Sequence, residues 1–513
     1  VAPLACTQQT VDAICGAEGD YMFGHCVSST VTWGVLPSRA HRAEIAERWI
    51  QFGTRFIGDR NSAEKGVEIL TPGARALAET AVSSRQFYGG MNRLVNLLRD
   101  NHTSFGSPAN WTSFSPQVQQ GSSSALGACF GVVEKDLLGG GLGYAVFRAG
   151  QEPLTGVPLK QGDVLFAIDG QDPKQWVDEM WPRFATTLPN DPEADWGSSA
   201  NDLSRLIATR ASTVTLLRCA AANACGEGSR ETITIDVASA VFKAVSGQVP
   251  SNGQAFGCSQ RFLDSVAELG QGQWGEDTVS TSVGAGGETR VQFDGFVGQG
   301  GWESAMSNVF APRPAKVLMD ARMGHGGYYT TVEHLFHLLR GTSEPIGVLS
   351  MGRGTYDMTD PPWLFDRLGS CVNDQGDLWS CFAGNANGFF SKQADPPGAA
   401  TKIAWLNTRD VSANDFMPKL LKGRSNFHIF APHPTSGAFG AVSSLPRVAP
   451  GWSGGSLQIQ DARFAADVAS ASSARWESGH GVPPDTVVVQ KLSDALAGTD
   501  TLVKVATEWL AAP

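Results

Sequence analysis

The sequence predicts a multidomain α/β protein with a helical N-terminal region and a small β module ahead of an α/β core. Three observations predict it: a length of 513 residues, a change from helical to strand-like hydrophobic spacing near residue 120, and alternating strand-like and helical runs after residue 241. One hydrophobic core rarely supports a chain of this length. We therefore expect three parts, residues 1–120, 121–240 and 241–513.

The first part reads as helical from residue 38 to about residue 98. Ala43, Ile45, Ala46, Trp49 and Ile50 repeat at helical spacing, and a second apolar face follows near residues 91–98. This spacing predicts an α-rich N-terminal region.

The second part reads as a β module after a Gly-Ser linker at residues 121–124. Gly-rich turns separate short apolar runs. The predicted strands are residues 129–133, 142–147, 163–168, 213–217 and 232–235, and the predicted helices are residues 176–184 and 202–209.

The third part alternates strand-like and helical runs, which predicts a sheet covered by helices. The predicted strands are residues 317–319, 346–349, 403–406, 427–430 and 487–489. The predicted helices are residues 331–339, 416–421, 492–496 and 502–510.

Composition and charge limit the class of partner. Hydrophobic residues make up 42% and charged residues 17% of the chain, which is typical of a globular protein. The net charge is −11, without a long Lys/Arg run, so nucleic acid and anionic membranes are unexpected partners. No apolar run reaches the roughly 18–20 residues of a membrane span. A polypeptide or a small molecule is the expected ligand.

The nine cysteines favour a secreted or periplasmic protein. Cys219/Cys225 and Cys371/Cys381 each enclose a short segment suited to a local disulfide, and no Cys-x-x-Cys spacing occurs. An odd number leaves at least one thiol free or paired outside the chain. A start at Val1 fits a removed export signal or a trimmed chain. Reduced, buried cysteines in a cytosolic enzyme are the alternative.

The loop at residues 320–327 follows a predicted strand and is rich in glycine. Glycines allow backbone N–H groups to point outward, which suits them to bind a developing oxyanion. A plain tight turn or a phosphate cradle would use the same residues. Neither a Gly-x-Gly-x-x-Gly pattern nor a Walker lysine is present in this loop, which disfavours a nucleotide site there.

Ser412 lies between a predicted strand and a predicted helix. A serine in this position presents its hydroxyl at the sheet edge, and the amide of Ala413 can serve as an oxyanion donor. The alternative is a helix-capping serine, with Asp415 completing a near capping box.

The order of motifs resembles the tail-specific (C-terminal processing) and tricorn-core family of serine peptidases. The resemblance covers roughly residue 88 to the C-terminus and is absent from about the first 40 residues. The motifs are Asp-Asn-His-Thr at residues 100–103, the β module around residues 156–170, the loop at 320–327, Asp-Val-Ser-Ala-Asn-Asp at 410–415, Pro-Thr-Ser-Gly-Ala at 434–438 and residues 477–485.

This resemblance implies a ClpP/crotonase-type α/β core with an inserted PDZ-like module. We expect no cofactor and no metal, because His334 and His337 on the predicted helix at 331–339 have no evident third ligand. Position by position, Ser412 matches the nucleophile, His102 the histidine and Glu477 the acid. Ala413, Gly326 and Gly327 match the oxyanion donors. In the PDZ-like module, Gly-Leu-Gly-Tyr at 141–144 looks like the carboxylate-binding loop but follows a predicted hairpin turn, so Phe130 and Gly131, which open the first strand, are the better-placed peptide-binding candidates. The module could instead only scaffold or gate the active site.

Three positions depart from the family pattern. Ala438 stands where the processing-protease branch has its lysine base, Asn101 where the tricorn-like branch has a serine, and Asp415 where a glutamate is usual. A serine needs a base, so His102 is the expected one. His325, His433 and His480 are competing bases in nearby loops.

We therefore expect an exported serine peptidase that forms an acyl-enzyme at Ser412 and acts on polypeptides. Two alternatives stay open: a catalytically silent binding protein on the same scaffold, and a hydrolase of non-peptide esters or amides.

Overall fold

A computed structural model describes most of the chain. The described residues are 8–22, 25–106, 128–149, 159–185, 187–237, 279–293, 295–296, 299–322, 324, 326–340, 347–353, 369–374, 377–381, 395–408, 411–440, 442–445, 454–458, 461–465, 475 and 477–513. The predicted linker at residues 121–124 lies outside them, as does His325.

The N-terminal region is helical, as predicted. Its elements are α1 (Gln8–Cys15), a hairpin of β1 (Gly19–Met22) and β2 (His25–Ser28), then α2 (Ser29–Trp33), α3 (Arg39–Gln51), α4 (Arg60–Lys65), α5 (Thr71–Thr80) and α6 (Gly90–Asn96), with π-helical turns at Phe52–Phe56, Gly66–Leu70 and Arg85–Gly89. Side chains of Ser38 and Asp59 cap α3 and α4. Ile45, Ala46, Trp49 and Ile50 are buried as predicted, whereas Ala43 is exposed.

Strand β3 (Ser104–Gly106) follows this region, and then the predicted β module begins. Its strands are β4 (Ala128–Glu134), β5 (Leu142–Ala149), β6 (Val164–Ile168), β7 (Thr213–Cys219) and β8 (Arg230–Asp236), with helices α7 (Pro173–Phe184) and α8 (Asp195–Arg210) and 3-10 turns at Pro192–Ala194 and Glu227–Ser229. All neighbours in this meander pair antiparallel, which confirms the five predicted strands.

The α/β core contains a six-stranded sheet. Along the chain its strands are β9 (Ser280–Val283), β10 (Thr289–Gln292), β11 (Lys316–Asp320), β15 (Lys402–Leu406), β16 (Phe427–Ala431) and β20 (Thr486–Val487), in the spatial order β20-β16-β15-β11-β10-β9. Every pair is parallel except β9 with β10. The helices of this part are α9 (Gln299–Phe310), α10 (Tyr329–Leu339), α11 (Ala413–Leu421), α12 (Leu492–Leu496) and α13 (Thr501–Ala511).

Both faces of this sheet are covered, as a parallel sheet requires. Met319 and Trp405 point into the apolar cluster on one face, and Leu318 and Leu406 into the cluster on the other. The mixed α/β class is confirmed, while the ClpP/crotonase and PDZ assignments stay predictions.

Two smaller sheets connect distant parts of the chain. One has the order β13-β14-β12-β19, formed by Gly369–Asp374, Asp377–Cys381, Gly347–Arg353 and Asp461–Ala465. The other has the order β17-β18-β3, with β17 at Val442–Leu445 and β18 at Gly454–Gln458. In addition, β21 (Gln490–Lys491) pairs with β4. The predicted three-part division of the chain stays a prediction.

Disulfides join Cys15 to Cys26 and Cys219 to Cys225. The second pair was predicted from its spacing. Cys129 is also disulfide-bonded. The predicted Cys371/Cys381 pair involves side chains outside the described part of the structure. Within the described ranges, no helix combines the length and the apolar character that a bilayer crossing requires.

Candidate active site

Ser412 lies on the turn between β15 and α11. Its backbone has φ 60° and ψ −123°, a conformation that costs a residue with a side chain about 1–3 kcal/mol and that clusters at active sites. A strained strand-to-helix turn is typical of serine nucleophiles, because it exposes the hydroxyl above the sheet. The Ser412 side chain makes no capping hydrogen bond to the helix. The alternative of a capping hydroxyl is therefore wrong.

Asp415 supplies the other half of a capping box and binds the next loop. Its carboxyl accepts hydrogen bonds from the backbone N–H of Ser412 and the hydroxyl of Thr435. It also accepts the N–H groups of Gly437 and Ala438 at 3.0 and 3.1 Å. Burial nevertheless raises the pKa of Asp415 to about 7, against the effect of these four donors.

The glycine loop after β11 packs directly against the serine. Gly326 has φ +96°, and a Cβ there would lie 2.8 Å from Ser412 Cβ and 3.2 Å from Ser412 Oγ. Gly327 has φ +139°, and a Cβ there would lie 2.2 Å from the carbonyl oxygen of Phe296. Only glycine satisfies both the backbone angles and the space. The predicted loop and the predicted nucleophile are thus in contact.

The backbone amides around Ser412 differ in how they are used. The N–H of Gly326 donates to Asn414 Oδ1 at 3.1 Å, so this amide is engaged. Within the described part of the chain, the N–H groups of Gly327 and Ala413 donate to no acceptor. Ala413 also begins α11, where the helix dipole favours negative charge.

His102 lies in the loop before β3. Its backbone N–H donates to Asp100 Oδ1 at 2.9 Å, and its Nδ1 lies 2.9 Å from Gln458 Oε1 on β18. Burial lowers the pKa of His102, opposed by the bond to Gln458. Its Nε2 makes no hydrogen bond with any residue that the structure describes.

No hydrogen bond joins Ser412 to His102 among the described residues. A chain of contacts nevertheless runs between them. Asp415 binds the N–H of Gly437, whose carbonyl accepts the N–H of Gly479. The adjacent Ser478 accepts a hydrogen bond from Gln458 Nε2 at 2.9 Å. These contacts connect the Ser412 backbone, through Asp415, to the Gln458 side chain that binds His102.

Glu477 is paired with cations. Its carboxylate lies 2.7 Å from Lys419 Nζ on α11 and 3.1 Å from an Arg475 Nη atom. The Glu477 side chain is largely buried, so these two cations compensate a charge that is mostly removed from water. Glu477 thus lies beside α11, and in the described contacts it touches neither His102 nor Ser412.

The competing histidines occupy different environments. Nδ1 of His433 lies 2.7 Å from the carbonyl oxygen of Pro434. Burial lowers the pKa of His433, and its Nε2 has no hydrogen-bond partner in the described structure. His480 is exposed. Neither makes a described contact with Ser412.

Phe130 and Gly131 are buried in the β module. The Phe130 side chain is part of the main apolar cluster, and a Cβ on Gly131 would lie 2.1 Å from the Phe147 ring. Helix α8 lies against the same strand, because Ser204 Oγ donates to the Ala128 carbonyl oxygen at 2.8 Å. Their role in peptide binding stays a prediction.

Asn414, Gln458 and Ser478 belong to the site but were not predicted from the sequence. Asn414 follows the serine by two residues, and its amide could have been noticed as a partner for the glycine loop. No local sequence pattern identifies Gln458, because its partner His102 lies 356 residues away in the sequence.

Comparison with known proteins shows the fold. No family model and no curated protein matches the chain. The structure of mature CPAF complexed with lactacystin is 12% identical, covers 92% of this chain and 98% of that chain, and has a TM-score of 0.55. The chain shares its fold with mature CPAF. A second structure of mature CPAF gives 12% identity, 92% and 97% coverage and a TM-score of 0.55.

The photosystem II D1 C-terminal processing protease is 14% identical and covers 93% of this chain and 98% of that chain, with a TM-score of 0.40. The match to mature CPAF confirms the predicted resemblance at the level of the fold.

Proposed function

We propose that the chain is a serine peptidase that cleaves polypeptides through an acyl-enzyme at Ser412. The observation that carries the proposal is the strained backbone of Ser412, with a hydroxyl that does not cap the helix and a glycine loop packed against it. Natural proteins retain such strain where function needs it. The fold shared with mature CPAF supports the same conclusion.

In the proposed reaction, Ser412 Oγ attacks the peptide carbonyl carbon while His102 Nε2 takes the hydroxyl proton. The carbonyl oxygen becomes an oxyanion that the N–H groups of Ala413 and Gly327 bind. Gly326 holds the loop in place through Asn414. The C–N bond then breaks, the imidazolium gives its proton to the leaving amine, and water hydrolyses the ester by the reverse steps.

His102 must approach Ser412 for the proton transfer, and catalytic hydrogen bonds are often long before substrate binds. His102 is the proposed base because Ala438 offers no amine. We place the protein in an oxidising compartment, outside the cell or in the periplasm. The disulfides Cys15–Cys26 and Cys219–Cys225 support this placement.

A fluorophosphonate probe and a denatured-protein substrate test the proposal. We expect Ser412→Ala to abolish labelling and cleavage, and His102→Ala to slow both by about 10²–10⁴-fold. Ser304→Ala is the matched control, because the hydroxyl of this exposed serine on α9 donates to the Gly300 carbonyl oxygen of the same helix. Full labelling of the Ser412→Ala protein would refute the assignment of Ser412 as the nucleophile. His433→Ala and His480→Ala test the competing bases.

A silent binding protein on the same scaffold is the second candidate. The absence of a Ser412–His102 hydrogen bond among the described residues favours it. Lactacystin is a suitable probe because mature CPAF has been solved with it. Stoichiometric binding with neither labelling nor turnover would support this candidate. Cleavage of simple esters without cleavage of denatured protein would instead indicate a non-peptide hydrolase.

A further inference from the structure

Gln458 occupies the position next to His102 Nδ1 in which serine hydrolases commonly place a carboxylate. We propose that Gln458 is the positioning residue that fixes the tautomer of His102. A neutral amide would thus orient the imidazole ring in place of a carboxylate. The inference rests on the proposed function of His102 as the base, and it goes beyond it by naming the group that prepares that base.

The hydrogen bonds of Ser478 determine which way the Gln458 amide points. A serine hydroxyl has one hydrogen, and Ser478 donates it to the carbonyl oxygen of Phe439 at 3.0 Å. Toward Gln458, Ser478 Oγ can therefore only accept. The amide nitrogen must face Ser478, at 2.9 Å, and Oε1 must face His102.

The orientation of the amide then determines the imidazole tautomer. Gln458 Oε1 is an acceptor only, so the hydrogen between it and His102 must be carried by Nδ1. A neutral imidazole has one N–H, and its other nitrogen holds a lone pair. Nε2 is therefore the basic atom, as a general base for Ser412 requires. Burial lowers the pKa of His102 and so favours this neutral form at pH 7.

A closed ring of hydrogen bonds fixes the amide relative to the imidazole. The backbone N–H of Gln458 donates to Thr103 Oγ1 at 3.0 Å, and the Thr103 hydroxyl donates to Asp100 Oδ2 at 2.9 Å. Asp100 Oδ1 accepts the His102 backbone N–H, also at 2.9 Å. Gln458 is fully buried, so water does not compete for its amide.

No carboxylate contacts the imidazole among the described residues. Asp100 binds the His102 backbone, Asp461 Oδ1 accepts the Ser478 N–H at 2.9 Å, and Glu477 is paired with Lys419. An amide fixes the tautomer without adding the charge that would stabilise an imidazolium. The pKa of this base is therefore set by burial and by one neutral hydrogen bond.

Two substitutions at position 458 test separately the effect of the acceptor oxygen and the effect of a negative charge beside His102. Gln458→Met keeps the length of the side chain and removes the acceptor. We expect it to slow acylation by a fluorophosphonate at least about tenfold, within the contribution of general-base catalysis, with the probe concentration at half-saturation unchanged. Gln458→Glu keeps an acceptor and adds a negative charge, which raises the pKa of an adjacent imidazole. We expect the acid limb of its pH–rate profile to move to higher pH.

Ser456→Ala is the matched control. Its hydroxyl lies 2.8 Å from that of Ser104, so it also joins β18 to β3, two residues from Gln458, without contacting His102. A role of Gln458 in strand pairing alone would make this control as slow as Gln458→Met. Normal acylation in Gln458→Met would overturn the inference.

Nitrogen NMR of the intact wild-type protein tests the tautomer itself, apart from activity. With ¹⁵N-labelled histidine rings, assigned by their loss in His102→Ala, we expect the proton on Nδ1 of His102. A proton on Nε2 would overturn the inference, whatever the activity. If Ser412→Ala and His102→Ala leave acylation unchanged, the proposed function fails, while the NMR result still decides the tautomer.

Discussion

Replacing Asp415 by asparagine should destabilise the fold at pH 5 and have little or no destabilising effect at pH 9. The carboxyl of Asp415 is buried and accepts four donors, among them the Gly437 and Ala438 amides. Asparagine offers one acceptor oxygen, and its NH₂ group faces donors. One unsatisfied buried donor costs about 1–3 kcal/mol, which is the loss we expect at pH 5.

The pH dependence follows from the pKa of Asp415, which is raised from 3.8 to about 7. Between these values the folded chain keeps a proton that the unfolded chain has lost. The stabilisation from this group is therefore complete below pH 4 and disappears as the pH rises through 7. Three pKa units correspond to about 4 kcal/mol, of which about 2–3 kcal/mol falls between pH 5 and pH 9. The asparagine variant lacks this term, so its deficit should disappear or reverse at pH 9.

Urea unfolding followed by tryptophan fluorescence, at both pH values and for both proteins, measures the difference. Subtracting the wild type cancels the other buried carboxyls, such as Asp100, whose pKa is also raised to about 7. Asp395→Asn is the control. The exposed Asp395 pairs with Arg313, which lowers the pKa of Asp395. The pH dependence of stability from this carboxylate therefore has the opposite sign, because its contribution is lost as the pH falls. A deficit of Asp415→Asn that grows with pH would refute the reasoning, since the hydrogen bonds would then outweigh burial.

Two further substitutions test the site and its support. Gly326→Ala should slow fluorophosphonate labelling about 10²-fold, because the added Cβ displaces Ser412 and misplacement near 1 Å costs that much; an unchanged rate with an unchanged circular dichroism spectrum would contradict the close packing. Arg322→Met should lower the free energy of unfolding in urea by about 3–5 kcal/mol, since it leaves Asp320 and Asp500 as uncompensated buried charges; a loss below about 1 kcal/mol would show that the ion triad contributes little.

Local patterns predicted the strands well where one strand belongs to one sheet. The five strands of the β module and the core strands β11, β15 and β16 lie where the apolar runs placed them. The run at residues 487–489 was less regular. Thr486–Val487 pairs with β16, and Gln490–Lys491 pairs with β4 in a different sheet. Hydrophobic spacing indicates a strand but does not show that the chain changes partners within it.

The predicted strand at residues 346–349 shows a second limit. It was expected to belong to the α/β alternation, but Gly347–Arg353 pairs antiparallel with β14 and β19 in a separate sheet. The hairpin β1–β2 and strand β9 escaped prediction for a related reason, since four-residue strands carry too few residues to show a period. Partner choice depends on tertiary contacts.

The residues of the candidate site fall into the same two groups, those that local patterns predict and those that depend on tertiary contacts. Ser412, Ala413 and the glycine loop were predictable because a strand-to-helix turn and a Gly-rich turn are local patterns, and the structure places them in contact. Helix α11 begins at Ala413 rather than at residue 416, which reflects the capping hydrogen bond that the Ser412 N–H donates to the Asp415 carboxyl. Gln458 was not predictable, because its role depends on β18 pairing with β3.

The absence of a lysine at position 438 explains why the pKa of Asp415 is raised. The four donors that lower the pKa of Asp415 are neutral, so burial dominates and its pKa rises to about 7. A lysine at this position would add a cation beside Asp415 and lower that pKa. With Ala438 buried instead, the polar contacts of this loop to Asp415 are hydrogen bonds from neutral groups. Those bonds, each contributing about 0.5–1.5 kcal/mol or more when the acceptor is charged, are sufficient to offset the strain of about 1–3 kcal/mol at Ser412. The same choice of neutral groups recurs at His102, which we propose is oriented by an amide, so among the described residues the hydrogen-bond partners of Asp415 and of the His102 ring are all neutral.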